Sequence, residues 1–295
     1  MRSGMVAIVG RPNVGKSSLL NRMVGQKVSI VSHKPQTTRH RIQGVLHGAA
    51  GQIVFVDTPG LHQAERRALN RAMNRAATAS LQDVDLVLLV LESGRWTDED
   101  AAVFQRLREL EAPVGLALNK VDKRDDKSVL LPELDELSRK RAFEFLVPVS
   151  ATRGQNVDAL IAELFARMPE GPALYPKDMT VGYDQAFAAA ELVREKLFRQ
   201  LHQELPYSLT VSIEKYEMEG RLHRIDAVIW VERDGQKRIV VGEGGQTLKR
   251  VGSAARRELE AQLGSKVFLQ LWCRVRQNWS DDPAALKQFG LDPND

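Results

Sequence analysis

Short apolar runs recur along the first half of the chain, at residues 6–9, 53–56, 86–91, 114–118 and 145–149. Each is rich in β-branched or other large apolar residues and long enough for one strand. The stretches between them carry apolar residues at helical spacing. Strands alternating with helices predict an α/β domain with a mostly parallel sheet and helices on both faces. The unbroken apolar character of the runs fits that reading, because a parallel strand is buried on both sides.

The pattern changes at residues 168–178, "MPEGPALYPKD", where three prolines and a glycine fall within eleven residues. This composition predicts a linker. Beyond it, residues 184–202 read as an amphipathic helix. Residues 207–216 and 224–233 alternate as paired strands. A short apolar segment at 237–241 leads into "GEGG", residues 246–263 form a second long helix, and 266–275 form a last strand. The organisation predicted is an N-terminal domain over 1–168, a linker over 169–178, an α+β domain over 179–280 and a loosely packed polar tail over 281–295.

Composition narrows the setting. The chain has 295 residues and a formal charge of +4, which permits an anionic partner without requiring one. Cys273 is its only cysteine, so a disulfide framework is excluded and a reducing compartment is expected. No apolar run approaches the roughly 18 residues a membrane span needs, and the N-terminal residues lack a signal-like apolar segment. A cytoplasmic protein is the expectation.

The first chemical signal follows the first apolar run. "GRPNVGKS", Gly10 to Ser17, has the spacing G-x-x-x-x-G-K-S between a strand and a helix. Amides from Asn13, Val14, Gly15 and on to Ser18 can wrap a phosphate at a helix N-terminus. Lys16 supplies a cation to the β- and γ-phosphates, and Ser17 a hydroxyl to Mg²⁺. "FVDTPG" brings Asp57 to where a carboxylate reaches Mg²⁺ through water, and Gly60 to where an amide can approach the γ-phosphate. "ALNKVD" supplies a base reader. The Asp122 carboxylate accepts from two donors on one edge of guanine, and adenine offers no such pair. Asn119 braces the base and Lys120 covers its face. "VSA" adds Ser150 and an amide at Ala151 for the guanine oxygen.

Five motifs in this order resemble the translation-factor class of P-loop GTPases, over about residues 5–168. "SHKPQTTRHR", residues 32–41, is similar to the first switch loop of bacterial ribosome-assembly and tRNA-modification GTPases. The resemblance makes Thr38 the switch ligand of Mg²⁺, with Thr37 as the second choice. Leu61 stands where Ras-like enzymes place a water-orienting Gln. In relatives with an Asn at the position of Asn13, K⁺ sits beside the phosphates and supplies missing positive charge. The catalytic set implied is thus Asn13, Lys16, Thr38 and Gly60, with Mg²⁺ and K⁺ as cofactors.

In the second domain, Gly242, Glu243, Gly244 and Gly245 form a G-x-x-G turn between helical segments flanked by strands. The order resembles a bacterial type II KH domain, whose loop clamps single-stranded RNA. Lys237, Arg238, Lys249 and Arg250 gather near this loop, as do Arg256 and Arg257, although the region's charge balances overall. A solvated helix face is the alternative. Trp230, Trp272 and Trp279 read as packing residues.

A GTPase domain, a linker and a C-terminal KH domain together resemble a bacterial family of small-subunit ribosome assembly factors. The resemblance implies GTP and GDP, the 3′ end of small-subunit ribosomal RNA and the 30S subunit as partners. It does not imply DNA. It implies peripheral association with the inner face of the cell membrane, for which the sequence shows no anchor. Nucleotide state would control RNA binding and release. Two other readings stay open: a tRNA-modification GTPase, and a GTPase adaptor whose KH-like domain binds protein.

Overall fold

The computed structural model describes residues 1–34, 36–59, 67–81, 84–201 and 205–291. The chain divides into two compact units, residues 1–66 with 70–182, and residues 67–69 with 183–295.

The first unit is built on a six-stranded sheet. In chain order its elements are β1 (Arg2–Val9), α1 (Lys16–Val24), β2 (Ile42–Gly48), β3 (Gly51–Asp57), α2 (Ala68–Ala79, from its third residue on), β4 (Leu86–Glu92), α3 (Asp98–Leu107), β5 (Val114–Asn119), α4 (Leu130–Lys140), β6 (Leu146–Pro148) and α5 (Val157–Arg167). The strand order is β2-β3-β1-β4-β5-β6. Only β2 runs antiparallel, pairing with β3 from Ile42 opposite Asp57 to Gly48 opposite Gly51. The predicted strands all lie within or overlap the observed ones. Strand β2 was not singled out by pattern, because Gly44, His47 and Gly48 interrupt its apolar alternation.

Burial explains the unbroken apolar runs. In β4, Leu86 to Val90 are all fully buried, whichever face they point to. On one face Val87, Leu89 and Leu91 join Leu116 and Leu118 of β5 and pack against Val103, Phe104 and Leu107 of α3 and Leu137 of α4. On the other, α1 lies against β2, β3 and α5.

The proline-bearing segment after α5 hydrogen-bonds to the first unit along much of its length. The Ser3 amide donates to Pro169 O, and the Gly171 amide to Met1 O. Gln52 Oε1 accepts from the Leu174 and Tyr175 amides, and Val45 donates to Thr180 O. Residues 169–182 are therefore bound to β1, β2 and β3 by hydrogen bonds, which their proline content did not foretell.

The second unit has α6 (Gln185–Gln200), β7 (Leu209–Glu219), β8 (Leu222–Val231), α7 (Asp234–Val241), α8 (Gln246–Leu263), β9 (Lys266–Val275) and α9 (Pro283–Gln288). Its sheet order is β7-β8-β9, antiparallel then parallel. Asp184 caps α6 by accepting from the Phe187 amide. Val193, Leu197 and Phe198 of α6 pack with Ile229, Val240, Val251, Ala255 and Cys273 into one core. This is the mixed-sheet KH architecture, as expected.

The tail departs from expectation. Asp282 caps α9, accepting from the Ala284 amide, with Pro283 at the first helical position. Ala285, Leu286 and Leu291 are buried, and Trp279 is fully enclosed with its indole N–H donated to Ser208 O at 3.1 Å. The segment's polar composition predicts loose packing. Three of its apolar side chains, Ala285, Leu286 and Leu291, are buried all the same.

Candidate GTP site and nucleic-acid interface

In the first unit the motifs gather at one edge of the sheet, where the parallel strands β1, β3, β4, β5 and β6 have their C-terminal ends. Ligands of open α/β sheets bind at that edge. The loop from Gly10 to Gly15 leads from β1 into α1. No described residue accepts a hydrogen bond from the amides of Val14, Gly15, Lys16 or Ser17. Four donors at the start of a nine-residue helix make a cradle for an anion. Gly15, at φ 104°, is required here: a Cβ would lie 2.4 Å from Asn119 Nδ2. The loop thus lies directly on the base-reading strand.

Lys16 is buried. Its ammonium donates to Gly10 O at 2.7 Å and Arg11 O at 3.0 Å. Burial pushes its pKa down to about 8, against the opposing pull of Asp57. The three oxygens assigned to the metal converge. Ser17 Oγ donates to Asp57 Oδ2 at 2.8 Å and lies 3.1 Å from Thr38 Oγ1, which is 3.4 Å from the same carboxylate oxygen. Ser29 Oγ, which sequence reasoning missed, adds a further hydroxyl contact at 2.9 Å. Thr37 instead donates to Lys34 O. Burial raises the Asp57 pKa despite these donors, and its Oδ1 is buried with no hydrogen-bond partner among the described residues.

One buried carboxylate with two hydroxyls and an unmet acceptor oxygen suits a hard cation whose shell is completed by phosphate and water. Among the described residues, no cluster of three or more His, Cys, Asp and Glu could hold a metal by itself. Asn13 is exposed at the loop tip with φ 65°. It shares one cleft with Lys16, Ser17, Val31, Ser32 and Thr38. Gly60, assigned to the γ-phosphate, and Leu61 lie outside the described residues.

The residues expected to read the base cluster beside the phosphate loop. Asn119 donates to Val14 O at 2.8 Å and accepts from the Ala151 amide at 3.0 Å, so it fastens two loops at once. The Ala151 amide, expected to serve the guanine oxygen, thus has a protein partner here. Lys120, at φ 65°, donates to Asn13 O at 2.6 Å. A hydrogen bond from Ser150 holds Asp122 below the usual carboxylate range, with the Arg153 charge adding to it. Asp122 Oδ1 is buried and accepts nothing among the described residues. Val14 is buried and Ser18 half-buried behind the loop.

Sequence reasoning did not single out Arg11, Glu92, Asp100 or Arg22. Arg11 pairs with Asp100 at 2.9 Å and Glu92 at 2.8 Å, and Lys120 pairs with Glu92 at 3.0 Å. Arg22 of α1 donates to Ala151 O at 3.1 Å and Thr152 O at 2.6 Å. These are contacts between distant parts of the chain, and no local spacing announces them.

In the second unit the G-x-x-G turn joins α7 to α8. Gly242 has φ 75°, and a Cβ there would meet Thr247 Oγ1 at 2.3 Å. Gly244 and Gly245 also have positive φ, but their added Cβ would meet nothing within 4 Å, so this side of the turn is open to close approach. Lys237, Arg238, Glu243, Lys249 and Arg250 are exposed in and beside it, and Arg256 and Arg257 are exposed further along α8. Val240 and Val251 are core, whereas Ile239 is 59% exposed beside the basic residues. Trp230 donates to Ser212 Oγ and packs near Phe289.

A phosphate-loop motif at a strand–helix junction, the candidate base-reading residues beside it and a mixed-sheet G-x-x-G fold define the class: a GTPase domain followed by a KH domain. Comparisons with known proteins agree. The family described as 50S ribosome-binding GTPase matches residues 5–120, and the KH domain family matches 204–280. GTPase Era of Xanthomonas oryzae pv. oryzae is 54% identical over 291 residues, covering 99% of this chain and 97% of the relative. GTPase Era of Stenotrophomonas maltophilia is 53% identical over 289 residues, covering 98% and 97%. Two solved structures superpose with a TM-score of 0.95 at 38% identity. One is a point variant of Aquifex aeolicus Era bound to GDP·AlF4⁻, covering 99% of this chain and all of that one. The other is Era with MgGDPNP and nucleotides 1506–1542 of 16S ribosomal RNA, covering 99% of each chain.

The chain belongs to the GTPase Era family, and it is a GTP-hydrolysing enzyme.

Proposed function

We propose that this GTPase binds the 3′ end of 16S ribosomal RNA through its KH domain and serves assembly of the 30S subunit. In this reading, nucleotide state governs RNA binding and release. The observation that carries the reading is the joint presence, in one chain, of the guanine-reading loops and an open G-x-x-G turn edged by basic residues. It is supported by the 0.95 superposition on an Era structure that holds both MgGDPNP and a 16S ribosomal RNA segment.

Within the GTPase domain, the amides of Val14 to Ser17 bind the phosphates and Lys16 leaves its carbonyl partners for them. Asp122 reads guanine, Asn119 holds the reading loops in place and the Lys120 stem lies along the base. Ser17, Thr38 and Asp57 would hold Mg²⁺, which when bound would supply positive charge against the phosphates. Because Thr38 belongs to the switch loop, its reach to the same oxygens as Ser17 and Asp57 makes the loop sensitive to what lies there. Asn13 is the proposed neighbour of K⁺, so GTP turnover is expected to be faster in potassium than in sodium buffer. Equal rates would remove the cation from this account.

In the KH domain, Gly244 and Gly245 admit the sugar–phosphate backbone, and Lys237, Arg238, Lys249 and Arg250 attract it. The test is binding of a labelled oligonucleotide matching the 16S 3′ end, against a scrambled control, by wild type and Gly244→Asp. Asp tolerates positive φ, and its side chain has room there. The variant is expected to keep GTP hydrolysis and lose RNA affinity about tenfold through repulsion of phosphate. Equal affinity for both oligonucleotides would favour an adaptor whose KH domain binds protein.

A further inference from the structure

Glu92 ends β4 and stands opposite Asn119 in the parallel pairing with β5. Its two carboxylate oxygens serve different loops. Oε2 accepts from Arg11 of the phosphate loop at 2.8 Å, and Oε1 from Lys120 of the base-reading loop at 3.0 Å. The Lys120 ammonium also donates to Asn13 O, so the contact returns to the phosphate loop two residues after Arg11. A ring closes: Arg11, Glu92, Lys120, Asn13 and the backbone back to Arg11. Arg11 is held from its other side by Asp100, which caps α3 through Thr97. The Arg11 side chain is 5% exposed, that of Asp100 0%, that of Glu92 13% and that of Lys120 21%.

A buried ion pair is usually a packing feature, and its removal alters stability alone. This one differs in where its arms end. Each arm fixes a residue that itself belongs to a nucleotide-contacting loop, and neither arm serves the hydrophobic core.

We propose that Glu92 is a positioning residue that locks the phosphate loop to the base-reading loop, so that both grip the nucleotide as one unit. The inference rests on the GTP site described above. Without the Glu92 charge, Lys120 keeps only the Asn13 carbonyl, and its stem loses a fixed course over the base. Either loop can then open without the other, and nucleotide escapes sooner.

The experiment is a chase of fluorescently labelled GDP, and separately of a labelled non-hydrolysable GTP analogue, from the full chain. Wild type, Glu92→Gln, Lys120→Met and the double variant are compared. Each single change is expected to raise the dissociation rate about tenfold, the worth of one charge-assisted link. The double variant is expected to be no faster than the faster single one, because both break the same ring. GDP and the GTP analogue should respond alike, since neither arm of the ring belongs to the switch loop. Glu92→Asp keeps the charge but cannot span both partners, so it carries the same expectation should Glu92→Gln not fold. A Glu92 variant within twofold of wild type, or single effects that multiply in the double variant, would overturn the proposal and leave the GTP site standing. A wild type that retains no labelled GDP would overturn the GTP site and the proposal together.

Discussion

At the scale of single residues, the site's chemistry is set by acceptors that the protein leaves unmet. Asp122 presents one buried oxygen with no partner among the described residues, while Ser150 and Arg153 keep the group ionised. In the proposed site that oxygen would accept from the donor pair that guanine presents. Asp122→Asn replaces one acceptor by a donor that faces the guanine N–H groups. It is expected to weaken GTP binding about 100-fold and to make xanthosine triphosphate the preferred nucleotide. Competition binding with the two triphosphates checks this, and unchanged guanine preference would remove Asp122 from the site. These residues were legible as candidates because each motif sits at a strand end, where spacing and residue type together suggest a role, and the structure brings them to one edge of the sheet. Their ties were not legible: Asn119 to Ala151, and Arg11 to Glu92, join residues far apart in the chain.

At the scale of elements, charge links hold the loops that pattern alone places. Burial disfavours the Glu92 charge, but the hydrogen bonds and charges of Lys120 and Arg11 outweigh it, so its pKa lies below the usual 4.5. A depressed carboxylate pKa means that the folded state binds its proton less readily than the unfolded chain. The stabilisation is therefore complete above about pH 4.5 and fades as pH falls through the folded value. Glu92→Gln is expected to cost about 2 kcal/mol at pH 7, and the gap should narrow below about pH 4.5 as wild-type Glu92 protonates. Denaturant unfolding of both proteins across this range measures it, and a gap constant with pH would contradict the assignment. Elements with an unbroken period were readable, such as α8 and β9, whose predicted bounds coincide with those observed. Strand β2 was not, because its two glycines carry no pattern and its place is set by pairing with β3. Helix α9 was not, because six residues with two buried apolar side chains give too short a period to separate from a polar tail.

At the scale of the whole molecule, two units with separate cores carry two chemistries, and the account joins them through free energy. The switch loop meets the proposed Mg²⁺ ligands at Thr38, and the turn proposed to face RNA belongs to the other unit. If GTP strengthens RNA binding by some factor, RNA must strengthen GTP binding by the same factor. That equality holds however the coupling is transmitted. The measurement to make is the affinity of wild type for the 16S 3′-end oligonucleotide at one fixed salt concentration, with a non-hydrolysable GTP analogue and then with GDP. Binding tighter by about 5- to 150-fold is expected with the GTP analogue, with the same factor when nucleotide is titrated with and without RNA. Equal RNA affinity in the two nucleotide states would contradict it.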